Sequence, residues 1–123
     1  MLLDASAWIE YFNGSDRGNH VESVLDNEEC YTCITTLAEI ANWALRENKE
    51  SRPLIDTISK LSSIIKLNED IVILAGKLNF ERKKTSQKWG MLDSFVLAVG
   101  ELYQLRILTK DSDFDDLDTV EML

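Results

Sequence analysis

The stretch MLLDASAWIEYF, residues 1–12, opens with three apolar residues and changes at Asp4 to apolar residues at helical spacing. We predict a very short strand over Met1–Leu3, followed by a helix for which Ser6 is a suitable N-cap. The Asn-Gly pair at positions 13–14 is typical of the end of such a helix. A strand that passes almost directly into a helix indicates an α/β domain built around a parallel sheet.

The same alternation continues along the rest of the chain. Further strands are predicted at Cys30–Ile34, Ile64–Leu67, Leu105–Thr109 and Thr119–Glu121. Helices are predicted over Asp16–Asn27, after Thr35 and Thr36, from Pro53, over Asp70–Lys84 and after Gly90. In the helix after Thr36, the residues expected to face inward are Leu37, Ile40, Ala41, Ala44 and Leu45. No repeat or interdomain linker is visible, so one domain over residues 1–123 is expected.

Composition narrows the class of protein. With 45% hydrophobic and 28% charged residues in 123, the chain is typical of a globular domain. No apolar run is long enough to span a bilayer, and Asp4 interrupts the N-terminus, so a cytoplasmic location is expected. The net charge of −9 argues mildly against a nucleic-acid partner, unless the acids are gathered to hold divalent cations.

Four acids stand at the ends of predicted elements. Asp4 ends the first strand and Asp111 follows another, while Glu39 and Asp93 lie in the first turns of helices. In open α/β sheets, ligands bind beyond the carboxyl ends of the strands. Four carboxylates at that edge would repel one another without a cation, and oxygen-only clusters suit Mg²⁺ or Mn²⁺. Ions held in this way support hydrolysis of phosphodiester bonds.

Each acid also has a simpler explanation. Asp4 could cap the helix that follows it, and Thr36-x-x-Glu39 matches a capping box. Asp93 could interact with the dipole of its own helix. For any single acid, the simpler explanation is at least as good as a metal site. The prediction of a metal site therefore depends on the placement of all four acids at one edge of the sheet.

Four segments of the chain resemble, in order and spacing, the acidic motifs of PIN-domain ribonucleases, and especially the VapC-type toxins of toxin–antitoxin pairs. The segments are LLDASAWIEYF (2–12), ITTLAEI (34–40), MLDSFVLAVG (91–100) and ILTKDSDFDDL (107–117). No single motif is specific to this family, whereas the ordered set of four motifs is. The resemblance implies a parallel sheet of about five strands, flanked by helices on both faces.

The resemblance also implies an activity and a set of residues for it. It implies a Mg²⁺- or Mn²⁺-dependent endoribonuclease that leaves 5′-phosphate and 3′-hydroxyl ends, with RNA as substrate, a cognate antitoxin protein as partner and a homodimeric state. The residues that match the catalytic and metal-binding acids are Asp4, Glu39, Asp93 and Asp111, and those that match supporting positions are Ser6, Thr109 and Asp113. One departure is Ala5, where the family often has threonine.

A basic cluster immediately precedes Asp93. It consists of Arg82, Lys83, Lys84 and Lys88. The cluster could engage RNA phosphates and offset the acidic net charge locally, or it could be a solvated helix end. The remaining acids of the last acidic segment, Asp115, Asp116 and Asp118, are expected to be solvated surface.

Several other residues suggest alternatives. Cys30 and Cys33 form a C-x-x-C pair, but a strand would point them to opposite faces, which favours structural thiols. His20 is expected at the surface. Trp8 and Trp43 could belong to the core, or could flank the antitoxin groove or dimer face that the resemblance implies.

Two other functions remain open at this stage. One is a PIN-like scaffold that binds RNA or another partner without catalysis. The other is a phosphoacceptor domain of receiver type, which is disfavoured because Asp4 stands alone after the first strand and Asp56 lies in a helical pattern.

Overall fold

Five parallel strands form one sheet in the computed structural model, which describes residues 1–123. The strands are β1 (Leu2–Leu3), β2 (Tyr31–Cys33), β3 (Ser63–Ile65), β4 (Ile107–Thr109) and β5 (Val120–Met122), in the spatial order β3-β2-β1-β4-β5. The helices are α1 (Ala5–Asn13), α2 (Asp16–Asn27), α3 (Ile34–Arg46), α4 (Ser51–Leu61), α5 (Glu69–Arg82) and α6 (Met91–Tyr103), and a 3₁₀ turn spans Ser112–Phe114. The predicted α/β fold with a parallel five-stranded sheet is confirmed.

The two residues of β1 explain why so short a strand can sit at the centre of the sheet. Leu2 and Leu3 are both fully buried and belong to different apolar clusters. Because successive strand residues point to opposite faces, each leucine serves one layer of helices. Leu3 packs with residues of α1, α2, α3 and α4, and Leu2 packs with residues of α5 and α6. The sheet therefore lies between two helical layers, as expected.

The start of α2 lies very close to α1. A Cβ atom built on Gly18 would stand 2.1 Å from the carbonyl oxygen of Glu10, so only glycine fits. Gly14 ends α1 with a φ of +64°, in the left-handed region where glycine is unstrained. The Asn-Gly signal for the end of α1 is thus confirmed.

Two helix starts differ from the prediction. Asp4, and not Ser6, is the N-cap of α1, and its side chain accepts a hydrogen bond from the Ala7 backbone N–H. Helix α3 begins directly at Ile34 with Cys33 as N-cap, so Thr36 lies inside the helix and forms no capping box with Glu39. No polar side chain caps the start of α3, which follows β2 directly. A search of the sequence for capping residues therefore does not detect this helix start.

The inward face of α3 is also shifted. Leu45 is 70% exposed, so its inward placement was wrong, whereas Trp43 is buried. Trp8 is buried too, and the two tryptophans flank Phe12, whose ring lies 6.0 Å from that of Trp8 and 6.5 Å from that of Trp43. Of the two interpretations for these tryptophans, the structure supports the core.

The expectations for the two cysteines and for His20 are confirmed. Cys30 and Cys33 are free, buried and placed in different apolar clusters, on opposite faces of the sheet. His20 is exposed, with its Nε2 atom 3.1 Å from Glu121. None of the six helices has the length and apolar character needed to cross a membrane.

Candidate acidic site

Asp4 is the most buried of the four acids. Its Oδ1 atom accepts hydrogen bonds from the Ser6 hydroxyl at 2.7 Å and from the Ala7 backbone N–H at 3.1 Å. Its Oδ2 atom accepts a hydrogen bond from the Thr109 hydroxyl at 2.5 Å. Burial raises the pKa of Asp4 to about 6, and these hydrogen bonds partly offset the effect of burial.

Ser6 and Thr109 join the start of α1 to the end of β4. Their hydroxyl oxygens lie 3.1 Å apart, although they are 103 positions apart in sequence. The backbone N–H of Lys110 donates to Ser6 Oγ, and that of Asp111 donates to Thr109 Oγ1. These two hydroxyls therefore orient Asp4 and fix the first residues after β4.

Asp111 and Asp93 both lie at the starts of helical segments, but at different positions within them. Asp111 is the N-cap of the 3₁₀ turn, and its Oδ1 atom accepts from the Asp113 backbone N–H at 2.9 Å. Asp93 lies in the first turn of α6, and its Oδ2 atom accepts from the Gly90 N–H at 2.9 Å. Burial raises the pKa of Asp93, and the charges of Asp111 and Asp113 raise it further.

Glu39 connects the four acids electrostatically. It lies on α3 and is half-buried. Burial raises the pKa of Glu39 to about 7, and the charges of Asp4, Asp93 and Asp111 add to that effect. The structure thus brings Asp4, Asp93 and Asp111, which lie at the starts of three separate helical segments, within electrostatic reach of Glu39 on α3.

The chemistry of this donor set fits a hard divalent cation. All the candidate ligands are carboxylate oxygens, which Mg²⁺ and Mn²⁺ prefer, and their mutual repulsion would be relieved by positive charge. In the structure, no group of three or more His, Cys, Asp or Glu side chains is close enough to hold an ion. Direct binding by three or more of these carboxylates would therefore require them to approach one another more closely than they do here, whereas one or two of them could bind an ion that keeps several waters.

Arg82 contributes in a way that the sequence did not indicate. Its Nη2 atom donates to the Asp113 carbonyl oxygen at 2.8 Å, and its two Nη atoms donate to the Asp116 carboxylate at 3.3 and 2.9 Å. The guanidinium carbon also lies 4.2 Å from the centre of the Trp89 ring. The hydrogen bond from Arg82 lowers the pKa of Asp116, and the charge of Arg82 offsets a small part of the rise in the pKa of Asp93. Arg82 therefore ties the end of α5 to the acidic segment after β4.

A second ion pair that the sequence analysis missed joins Lys110, the residue before Asp111, to Glu10. Lys110 Nζ is 3.0 Å from the carboxylate of Glu10, a buried residue of α1. The hydrogen bond from Lys110 lowers the pKa of Glu10. A surface cavity of about 300 Å³ beside this pair is lined by Ser6, Ile9, Glu10, Lys110 and Asp111. The sequence analysis missed Glu10 because its partner, Lys110, is a hundred positions away in the chain.

The other predicted residues fall into two groups. Lys83, Lys84 and Lys88 are exposed, so the structure leaves them free to meet a ligand, whereas Arg82 is engaged internally. Asp115 and Asp118 are exposed, as expected for solvated surface. Asp116 is exposed as well, but it forms the ion pair with Arg82.

Comparison with known proteins gives a family match and a set of related structures. The model of the PIN domain family matches residues 1–120. No curated protein matches the chain. At 22% identity and a TM-score of 0.77, the chain is similar to a toxin–antitoxin complex from Klebsiella pneumoniae, with 98% of this chain and 95% of that one covered.

Two further structures share the fold over nearly their full length. VapBC2 from Rickettsia felis, bound to a DNA fragment from its promoter, is 16% identical with a TM-score of 0.78, covering 99% of this chain and 97% of that one. VapC20 from Mycobacterium tuberculosis, a toxin that cleaves the sarcin–ricin loop, is 15% identical with a TM-score of 0.73, covering 95% and 94%. At these identities the likeness establishes a shared fold.

Proposed function

The chain belongs to the PIN-domain family, and from this premise we propose that it is a Mg²⁺- or Mn²⁺-dependent endoribonuclease and the toxin of a toxin–antitoxin pair. The observation that carries the nuclease proposal is the electrostatic coupling of Glu39 to Asp4, Asp93 and Asp111. Four carboxylates held together without a compensating cation are destabilising for the fold, so their grouping is best explained by a function.

In this proposal Asp4, Glu39, Asp93 and Asp111 hold the ion. When bound, Mg²⁺ or Mn²⁺ would supply positive charge that favours ionisation of a water and offsets charge developing on the scissile phosphate. Ser6 and Thr109 orient the Asp4 carboxylate by donating to its two oxygens. With its pKa at about 7, Glu39 is partly protonated near neutral pH, so it must lose a proton from its carboxyl group when a cation binds.

Asp113 has a supporting role in the same proposal. Its backbone N–H holds the Asp111 carboxylate, and its backbone carbonyl accepts from Arg82. It therefore connects one proposed metal ligand to the arginine that anchors the segment. We propose that Lys83, Lys84 and Lys88, the exposed part of the basic cluster, contact RNA phosphates.

The proposed partners are RNA, a cognate antitoxin and a second copy of this chain. The family membership supports RNA as substrate. Support for an antitoxin comes from relatives of the same fold that are toxins in toxin–antitoxin assemblies. The test for this partner is coexpression with any small protein whose reading frame adjoins that of this chain. A stable complex that suppresses cleavage supports the toxin assignment, and unaltered cleavage in its presence contradicts it.

The nuclease proposal is tested by cleavage of total cellular RNA with Mn²⁺ and with excess EDTA. We expect cleavage only with the metal, and 5′-phosphate ends on the products. Asp93→Asn should lower the rate at least about a hundredfold, since a metal ligand contributes several kcal/mol to stabilising the transition state. Asp118→Asn, an exposed acid of the same type, is the matched control and should retain activity.

Two outcomes would contradict the proposal. Cleavage that persists in EDTA would exclude a metal-dependent mechanism. A folded protein that binds RNA but does not cleave it with either metal would instead be a PIN-like scaffold without catalysis.

A further inference from the structure

Lys110 places a positive charge beside the acidic site, and no part of the proposed function uses that charge. The residue directly follows β4, and its backbone N–H donates to Ser6 Oγ at 2.8 Å, which holds its main chain at the edge of the site. Its ammonium group lies 3.0 Å from the carboxylate of Glu10 on α1. The side chain is nevertheless half exposed, so a ligand from solvent can reach it.

Glu10 is well placed to keep this ammonium group in one position. It is only 7% exposed, and its other carboxylate oxygen accepts a hydrogen bond at 3.0 Å from Ser15, the N-cap of α2. A lysine whose end is fixed in this way has already lost much of its rotamer freedom, so little further ordering is needed when a ligand binds. An ammonium group has three N–H donors, and donors remain for a ligand after one contact with Glu10.

The cavity of about 300 Å³ beside this pair adjoins the acidic site. Ser6 and Asp111, which line it, are residues of the proposed site. Ile9 adds an apolar wall, and Lys110 adds the positive charge. Ligand sites typically combine apolar walls with a few placed polar groups. A phosphate of RNA needs positive charge, and the carbon atoms of the attached ribose need apolar contact, so the cavity suits one phosphate–ribose unit.

Exposed cations lie on both sides of the acidic site. Lys110 contacts α1, in the helical layer that packs on Leu3. The exposed lysines of the basic cluster follow α5, in the layer that packs on Leu2. A group of acids in a chain of net charge −9 repels RNA, and cations on both sides of the group offset that repulsion. The arrangement therefore favours an RNA strand that crosses the edge of the sheet from one layer to the other.

We propose that Lys110 binds the RNA phosphate next to the one at which the strand is cleaved, and that Glu10 positions the ammonium group for this contact. This inference rests on the proposed nuclease function and names a binding residue for its substrate. Lys110 contacts the RNA, whereas Glu10 acts only through Lys110. Because the bound phosphate does not react, the contact is equally strong in the ground state and the transition state. It therefore lowers KM and leaves kcat unchanged.

The first test is binding of a short single-stranded RNA of mixed sequence to the full chain in EDTA, at several salt concentrations. Lys110→Gln should weaken binding and reduce the dependence of log affinity on log salt by roughly 0.7, as the loss of one phosphate contact does. Lys110→Arg should retain the salt dependence of the unmodified chain. The matched control is Lys60→Gln, which changes an exposed lysine just before β3, at the opposite edge of the sheet, and should have no effect.

The second test is steady-state RNA cleavage with Mn²⁺. Lys110→Gln should raise KM about tenfold, as loss of a charge-assisted hydrogen bond does, and leave kcat within about twofold. Lys110→Arg should restore KM. Thermal unfolding in a Mn²⁺ titration should give the unmodified midpoint for Lys110→Gln, which shows that Asp111 has kept its position.

Glu10→Gln tests the positioning role separately. The substitution removes a negative charge beside the proposed RNA path, and this loss by itself would strengthen binding. We expect KM to rise a few-fold instead, because the ammonium group loses its anchor. A lowered KM would show that Glu10 only neutralises Lys110 and would overturn its positioning role.

The other outcomes are distinguishable. An unchanged salt slope and KM for Lys110→Gln would overturn the RNA contact and leave the ion pair as a clamp between α1 and the segment after β4. A lower kcat with a shifted Mn²⁺ midpoint at unchanged KM would also overturn it, because Lys110 would then act on Asp111. If the unmodified chain binds RNA without cleaving it, the nuclease proposal fails while the salt slope still decides whether Lys110 binds RNA. Absence of RNA binding would overturn both.

Discussion

At the scale of single residues, the capping roles of the acids and their proposed metal-binding roles are compatible. Asp4, Asp93 and Asp111 each accept a backbone N–H bond at the start of a helix or 3₁₀ turn. For Asp93 and Asp111 this bond uses one oxygen and fixes the direction of the carboxylate. A cap of this kind therefore fixes the orientation of a carboxylate that belongs to the proposed site.

Among single residues, we expect the substitution of Arg82 to be the most informative test of the proposed metal site. Arg82→Gln should raise the Mn²⁺ concentration needed for half of the metal-induced increase in melting temperature several-fold, because the segment with Asp111 and Asp113 loses its anchor. The loss of charge-assisted hydrogen bonds and of the contact with Trp89 should also destabilise the metal-free protein by about 1–3 kcal/mol. Both effects are measured by thermal unfolding in a Mn²⁺ titration.

The control for Arg82 is another arginine. Arg52→Gln removes an arginine that pairs with Asp56 while 84% exposed, and it should change neither quantity. If Arg82→Gln lowers stability in EDTA but leaves the Mn²⁺ midpoint unchanged, Arg82 stabilises the fold without positioning the acids.

At the scale of elements, the proposed site depends on the starts of helical segments. Three of the four acids stand at or within the first turn of α1, α6 and the 3₁₀ turn, where free backbone N–H groups favour negative charge. This placement partly stabilises a group of carboxylates that would otherwise repel strongly. The starts of three helical segments, two of which follow β1 and β4 directly, thus supply three of the four acids of the proposed site.

The segment between α5 and α6 carries the exposed lysines, and its proposed role in RNA binding is testable separately. Replacing Lys84 and Lys88 with alanine should weaken binding similarly for all RNA sequences. It should also reduce the dependence of log affinity on log salt by roughly 0.7 per lost phosphate contact. The measurement is RNA binding in EDTA at several salt concentrations. An unchanged salt slope would mean that these lysines are solvated surface only.

At the scale of the whole molecule, burying the acids and grouping them has a thermodynamic consequence. The pKa of Glu39 rises from 4.5 to about 7, and that of Asp4 rises from 3.8 to about 6. The folded state therefore binds protons more tightly than the unfolded state at these two groups. Their contribution to stability is most favourable below about pH 4, decreases as the pH rises through the folded pKa values of about 6 and about 7, and becomes constant above about pH 8.

Glu39→Gln should remove its share of this dependence. In EDTA the variant should be more stable than the unmodified protein at about pH 8, by on the order of 2 kcal/mol, and about equal to it at about pH 4. With saturating Mn²⁺ the order should reverse, because the variant has lost a proposed ligand. Denaturant unfolding at both pH values, with Asp118→Asn as control, provides the measurement. Equal stability of the variant and the unmodified protein at both pH values would show that the pKa of Glu39 is not raised in the folded protein.

The sequence by itself determined the local structure and the candidate acids. Apolar periodicity, the Asn-Gly signal and the strand-to-helix transitions predicted all five strands and all six helices within a few residues, because these signals depend on neighbours in the chain. The predicted element ends correctly placed Asp4, Asp93 and Asp111. Glu39 was predicted in the first turn of its helix, which was wrong: it lies in the second turn of α3, because that helix begins at Ile34. Local signals failed where no polar cap marks a helix start, as at Ile34, and where the inward face of a helix is set by its neighbours, as at Leu45.

Only the tertiary structure decided which distant residues meet. The Asp4–Thr109 hydrogen bond, the Glu10–Lys110 pair and the engagement of Arg82 by the acidic segment join residues far apart in the chain. These contacts depend on β1 lying beside β4 and on α5 ending near the 3₁₀ turn. Strand order and helix packing arise from burial of apolar surface over the whole domain, a non-local quantity that periodicity in one segment does not contain.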